Sequence, residues 1–183
     1  MKLSPKDMAL IALFAAVITI CSWISVPAAV PFTLQTFAIF TAVLLLGGRR
    51  GVWSVALYIL LGAVGLPVFA GFRGGFGALL GPTGGYILGF LFSALVVWGV
   101  TAKAGDGLWT QFLALVLGLA VCYAFGTAWF MVVYARVKGP IGLGSALGMC
   151  VLPFIIPDLV KISLALLLSR RLRKVNSIRA LTE

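Results

Sequence analysis

Residues 108–136 read LWTQFLALVLGLAVCYAFGTAWFMVVYAR, and the first charge in that run is Arg136. A helix that crosses a bilayer needs about 20 predominantly apolar residues. This stretch exceeds that length without one ionisable carboxylate, lysine or arginine before its end. Working outward, the same pattern recurs on both sides. It predicts an all-α membrane protein in which residues 1–183 form a single integral-membrane domain. Six transmembrane helices are expected, at about 7–26, 33–46, 52–64, 83–101, 108–136 and 143–169. The second and third are shorter than a full crossing unless their ends extend or the bilayer thins.

Composition supports this class. The chain is 62% hydrophobic and 10% charged, against about 45–50% and about 25% for a soluble domain. Mean hydropathy is +1.18. Four acidic residues and no histidine exclude a histidine-based triad or metal site and leave no acid–base constellation for an enzyme. Cys21, Cys122 and Cys150 each lie in apolar runs without C-x-x-C spacing, so they read as small hydrophobes in helix packing.

Punctuation sets the predicted boundaries. Pro5 and Asp7 suit a first turn, and the apolar run after them reads as a retained first helix, with no clear small-x-small cleavage site. Pro27 and Pro31 bracket a short loop, and Gly47-Gly48-Arg49-Arg50-Gly51 reads as a break between two helices. Residues 65–82, rich in glycine with two prolines, read as a structured loop and not a helix. The last predicted helix contains Pro153 and Pro157.

The net charge is +10, but placing the helices leaves no basic surface for nucleic acid. Lys2, Lys6, Arg49, Arg50, Lys103, Arg170, Arg171, Arg173, Lys174 and Arg179 fall on one side of the six-helix scheme, and Arg73, Arg136 and Lys138 on the other. Cations favour the cytoplasmic side. The N- and C-termini are therefore expected in the cytoplasm, with the glycine-rich loop outside.

Four groups of residues carry candidate chemistry. Asp158 and Lys161 are the only acid and cation buried within a predicted span, away from its ends, and i,i+3 spacing puts them on one helical face. They read either as an ion pair that fixes packing or as a polar anchor for a ligand. The nearby prolines, which free backbone carbonyls, favour a cavity. The run GLPVFAGFRGG at 65–75 and GPTGGY at 81–86 permits close backbone approach. Thr83 and Tyr86 begin a helix whose amides suit an anion, although Gly81, Gly85 and Gly89 also make small-xxx-small packing steps. There is no phosphate-loop ending, so the chain does not itself bind ATP in that manner. PFTLQTF at 31–37 mixes Gln35 and threonines with aromatics, as a small amphipathic ligand requires, or as an interfacial aromatic belt. Ala9, Ala12, Ala15 and Ala16 form a small-residue stripe that reads equally as bundle packing or as a docking face for another membrane subunit.

Together PFTLQTF, GLPVFAG, GPTGGY and PDLVK (157–161), in this order, resemble the BioY family, the biotin-specific S components of energy-coupling factor (ECF) transporters. The resemblance extends over nearly the whole chain. It implies the ECF S-component fold with six helices, a pocket near the outer face and high-affinity biotin uptake across a bacterial or archaeal cell membrane. It also implies partnership with a transmembrane T component and two ATP-binding cassette ATPases. Biotin is then the transported ligand, there is no cofactor, and the partner subunits consume the ATP. Ala12 and Ala16 look like the stripe that docks on the T component. Biotin has a ureido ring with two N–H donors and one carbonyl, an apolar thioether ring and a valerate carboxylate. Asp158 and Lys161 suit the ureido group, while Phe69, Phe72 and Tyr86 suit the rings. Arg73, Thr83 and Gln35 are candidates for the carboxylate. The two ends can equally be exchanged, with Lys161 on the carboxylate. An S component for another vitamin, or a solitary secondary transporter or channel, are the alternative readings.

Overall fold

The computed structural model describes residues 3–174. Helix α1, Pro5–Trp23, starts at a capping box: Ser4 Oγ accepts from the Asp7 amide at 3.1 Å, and Asp7 Oδ2 accepts from the Ser4 amide at 2.8 Å. It ends earlier than expected. Residues Ser25–Val26 (β1) pair antiparallel with Phe32–Thr33 (β2), and Pro27 and Pro31 bend the chain between them. Helix α2, Gln35–Leu46, is buried along nearly its whole length.

Helix α3, Gly48–Ala63, corrects the expected start at residue 52. Of the Gly-Gly-Arg-Arg-Gly break, only Gly47 breaks the helix, at φ 82°. Gly48–Gly51 is the first turn of α3. Gly51 faces the backbone of Val43 so closely that a β-carbon would collide with it, which lets α2 and α3 pack tightly.

Residues 65–82 hold one element that the loop reading missed, the short helix α4, Phe76–Leu80. Helix α5, Gly84–Ala104, and helix α6, Leu108–Lys138, form an antiparallel pair. Glycines set their spacing: Gly85 lies against Trp129, Gly126 against Tyr86, Gly89 against Cys122 and Gly118 against Ser93 and Val97. The small-xxx-small steps on α5 thus serve helix packing.

The predicted single helix at 143–169 is two helices, α7, Leu143–Cys150, and α8, Leu152–Arg173. Val151 separates them with φ −127° and ψ −58°. Pro153 explains the break, because a proline ring in a helix interior clashes with the carbonyl of residue i−4 and donates no hydrogen bond. At the first turn of α8 it is tolerated.

Helices α1, α5, α6 and α8 are each long and apolar enough to cross a membrane, and α2 is a shorter apolar helix. Large apolar side chains such as Leu13, Leu60, Val132 and Leu167 cover the outside of the bundle, as a lipid environment requires. The architecture is an all-α, multi-pass membrane protein.

Polar contacts lace one end of the bundle. Arg50 Nε lies 2.6 Å from Asp7 Oδ1. Arg173 donates to the Leu44 carbonyl and to Asp106 Oδ2 (3.3 Å), and Arg170 donates to the Asp106 carbonyl at 3.2 Å. Lys6, Arg49, Lys103, Arg171 and Lys174 share this end through their places at helix termini. Lys2 and Arg179 lie outside the described residues.

Candidate ligand-binding cavity

A cavity of about 280 Å³ opens at the opposite end, where α2, α5 and α8 begin. Its wall combines the α1–α2 loop, the glycine-rich loop after α3, the first turns of α2 and α5, the middle of α6, Cys150 of α7, and α8.

The bottom is polar. Asp158 and Lys161, only 3% and 5% exposed, meet at 2.8 Å between Oδ1 and Nζ. Lys161 also donates to the Thr33 carbonyl at 2.6 Å and holds its Nζ 4.0 Å from the Phe32 ring centre. Tyr123 on α6 donates its hydroxyl to Asp158 Oδ2 at 2.5 Å. The pair is therefore both an ion pair that ties three parts of the fold together and a surface of the cavity. A buried charge pair is stable only when its remaining donors and acceptors are satisfied, and Tyr123 and Thr33 do this.

Gln35 is buried and committed to the fold on both sides. Its Nε2 donates to Tyr58 Oη at 2.6 Å, and its Oε1 accepts from Thr33 Oγ1 at 3.1 Å. Tyr86 faces the cavity with its hydroxyl 2.8 Å from Thr127 Oγ1. Thr83 lines the mouth as the N-cap residue of α5, and its side chain does not cap the helix. Phe69 forms an apolar wall, packed edge-on to Tyr58 with centroids 5.5 Å apart.

The glycine-rich loop separates two residues expected to act together. Phe69 and Arg73 pair across an antiparallel bridge, and paired residues project to one face. Both line the cavity. Arg73 is exposed at its rim, and its guanidinium has no side-chain partner among the described residues. Phe72 does not reach the cavity. It sits at the tip of the turn with φ 57°, is 64% exposed, and stacks on Trp23 at 4.9 Å. The turn geometry directs it away from the ring site assigned from sequence.

Tyr123, Thr36, Phe90, Cys122, Cys150 and Phe154 also line the cavity and were not among the expected site residues. For Tyr123 a signal existed: a phenol in the middle of an apolar span needs a hydrogen-bond partner. The Thr33 carbonyl leaves no trace in a side-chain pattern.

The stripe on α1 splits. Ala15 is buried in the bundle, whereas Ala9, Ala12 and Ala16 face outward.

A profile of the BioY family matches residues 1–177. The chain belongs to the BioY family. Among its relatives in that family is the biotin transporter BioY of Thermotoga maritima, 40% identical, with the match covering 89% of this chain and 93% of that protein. The probable biotin transporter BioY of Pyrococcus horikoshii is 41% identical over 92% of this chain and 96% of its own length. The fold superposes with a TM-score of 0.82 on the crystal structure of the S-component for biotin from an ECF-type ABC transporter, at 28% identity, covering 97% of this chain and 96% of the other. Members of the family are transport proteins, and the polar-bottomed cavity in an apolar bundle fits that class.

Proposed function

We propose that this chain binds biotin and takes it up across the cytoplasmic membrane of a bacterium or archaeon, as the S component of an ECF-type transporter. It is a transport protein and not an enzyme. Family membership supports the substrate. The observation that carries the reading is the Asp158–Lys161 pair at the base of a cavity sized for one small vitamin. It offers an acceptor and a donor side by side, as a ureido group requires. Titration of the purified protein with biotin, thiamine and riboflavin tests this. Selective, tight binding of biotin is expected, and preference for another vitamin overturns the substrate.

The finer topology is six membrane crossings, with α2 and α3 as the short second and third and α8 completing the sixth. The two chain ends lie in the cytoplasm. The basic residues gathered at the laced end support this orientation, which puts the cavity mouth outside. Coupling to a T component and two ATP-binding cassette ATPases follows from the same family reading. The outward position of Ala12 and Ala16 on α1 suits close approach of a partner helix.

A further inference from the structure

We propose that Ser22 and Trp23, in the last turn of α1, are positioning residues for the ligand: from outside the cavity they hold the glycine-rich loop in the place where it forms a wall. The proposal rests on the biotin reading above. It gives a binding role to a helix that contributes no side chain to the cavity.

The loop is joined to α3 by two backbone bonds. The Leu66 amide donates to the Leu61 carbonyl at 3.1 Å, and the Gly75 amide donates to the Gly62 carbonyl at 2.7 Å. Between these points the chain makes the turn that carries Phe69, Ala70 and Arg73 to the cavity. Phe69 and Arg73 exchange backbone bonds of 2.9 Å and 3.3 Å across that turn, which fixes its internal shape and not its place. Among the described residues, the hydrogen bonds that join residues 67–74 to another element all go to α1. Ser22 Oγ lies 2.5 Å from the Val68 carbonyl oxygen, and Trp23 Nε1 donates to the Pro67 carbonyl at 2.9 Å. The Trp23 ring also stacks on Phe72, at the tip of the turn, with centroids 4.9 Å apart. One end of α1 thus grips the turn at its root and at its tip.

The same end of α1 holds the loop on the other side of the cavity. The Leu34 amide donates to the Cys21 carbonyl at 3.1 Å, and Ser25–Val26 pairs with Phe32–Thr33. Two loop walls therefore share one anchor.

A tryptophan at the end of a span commonly sits among lipid headgroups. Here its N–H is taken by Pro67 and a ring face by Phe72, so the residue is committed to the loop. Ser22 is fully buried, and its hydroxyl is the polar contact to Val68 next to the wall residue Phe69. Phe72 does not line the cavity, so its ring acts on a ligand only through the backbone that carries it. Gly71, Gly74 and Gly75 give this segment unusual freedom to lose on ordering. Contacts that order it before the ligand arrives raise affinity, because a ligand binds fully only the fraction of molecules already in the competent shape.

The test titrates the full-length protein with biotin and measures amide hydrogen exchange with and without it. Trp23→Phe keeps the stack and drops the donor, and should weaken biotin about twofold to tenfold. Trp23→Ala loses both and should weaken it by about tenfold or more. Phe72→Asn removes the ring with a residue that tolerates the φ of 57° at this position, and should weaken biotin severalfold. Once Trp23→Ala has removed the stack, adding Phe72→Asn should cost nothing further. In each single variant the amides of residues 65–75 should exchange faster without biotin, regain protection when biotin saturates the protein, and leave α5 and α6 as in the parent. Parental biotin affinity in Trp23→Ala overturns the proposal. Faster exchange throughout the bundle also overturns it, because the contacts then serve the whole fold and not the loop. Additive weakening by Trp23→Ala and Phe72→Asn does the same, since the two rings then act separately. If the parental protein fails to bind biotin, the substrate reading falls instead, and exchange of residues 65–75 without ligand still decides whether α1 holds the loop.

Discussion

The hydroxyl of Tyr123 donates to Asp158 Oδ2 across 2.5 Å, from α6 to α8. The carboxylate at the base of the cavity is thereby held from two helices, with Lys161 on its other oxygen. Orientation of this group depends on a residue remote from it in the chain.

Tyr123→Phe leaves the ring in place and removes the donor. An unsatisfied buried acceptor costs about 1–3 kcal/mol, so biotin affinity should fall roughly tenfold to a hundredfold, with a modest drop in melting temperature. Calorimetric titration of the variant reads the first and thermal unfolding the second. Parental affinity would remove Tyr123 from the site.

Asp158→Asn replaces a pure acceptor with a mixed donor and acceptor and strands the Lys161 charge. Biotin affinity is expected to fall by tenfold to over a hundredfold, since a hydrogen bond to a charged group is worth about 1.5–3 kcal/mol. The double change Asp158→Asn with Lys161→Met removes the stranded charge. It should restore thermal stability and still bind biotin poorly. Normal binding by a stable double variant would make the pair structural only.

Gly62→Ala tests the wall without touching the ligand. A β-carbon on Gly62 would collide with the ring of Phe69, which is 2% exposed and lines the cavity. Overpacking of this kind costs about 1–3 kcal/mol, and the ring has the cavity to move into. Biotin binding should weaken by about tenfold or more. Adding Phe69→Leu should recover part of that loss. Unchanged affinity in Gly62→Ala means that the ring yields in another direction.

Ala12→Trp and Ala16→Trp place bulk on the outward face of α1. Biotin titration should be unaltered, because neither residue lines the cavity. Co-purification of the T component should be lost, since close helix approach needs small residues. Retained co-purification would leave the stripe to lipid contact.

Orientation is open to labelling. Phe76 and Ala104 are exposed near opposite ends of the bundle, and Phe76→Cys should react with an impermeant thiol reagent from outside, Ala104→Cys only from inside. Reaction of both from one face contradicts the six-crossing topology.

The helical membrane class was legible because apolar runs and their charged ends are local properties of the chain. Asp158 and Lys161 were legible for the same reason: two charges three residues apart on an apolar helix must face something polar. Their partners were not, since Tyr123 and the Thr33 carbonyl come from other elements. The direction of Phe72, which stacks on Trp23, was not legible, because composition cannot tell which side of a turn a ring takes. The break at Val151 depends on which of two prolines begins a helix and which rides inside one. Pro153 does the first and Pro157 the second.

The Asp158–Lys161 pair has an electrical consequence. Moving one elementary charge through the membrane potential is worth about 2.3 kcal/mol per 100 mV. Asp158 and Lys161 carry opposite charges 2.8 Å apart within one turn of α8, so the potential pulls on them in opposite directions and does almost no net work on the pair. A lone carboxylate or ammonium at that depth would make the base of the cavity respond to every change in voltage. Paired, the two charges supply strong hydrogen bonding inside the membrane while remaining indifferent to the energised state of the cell.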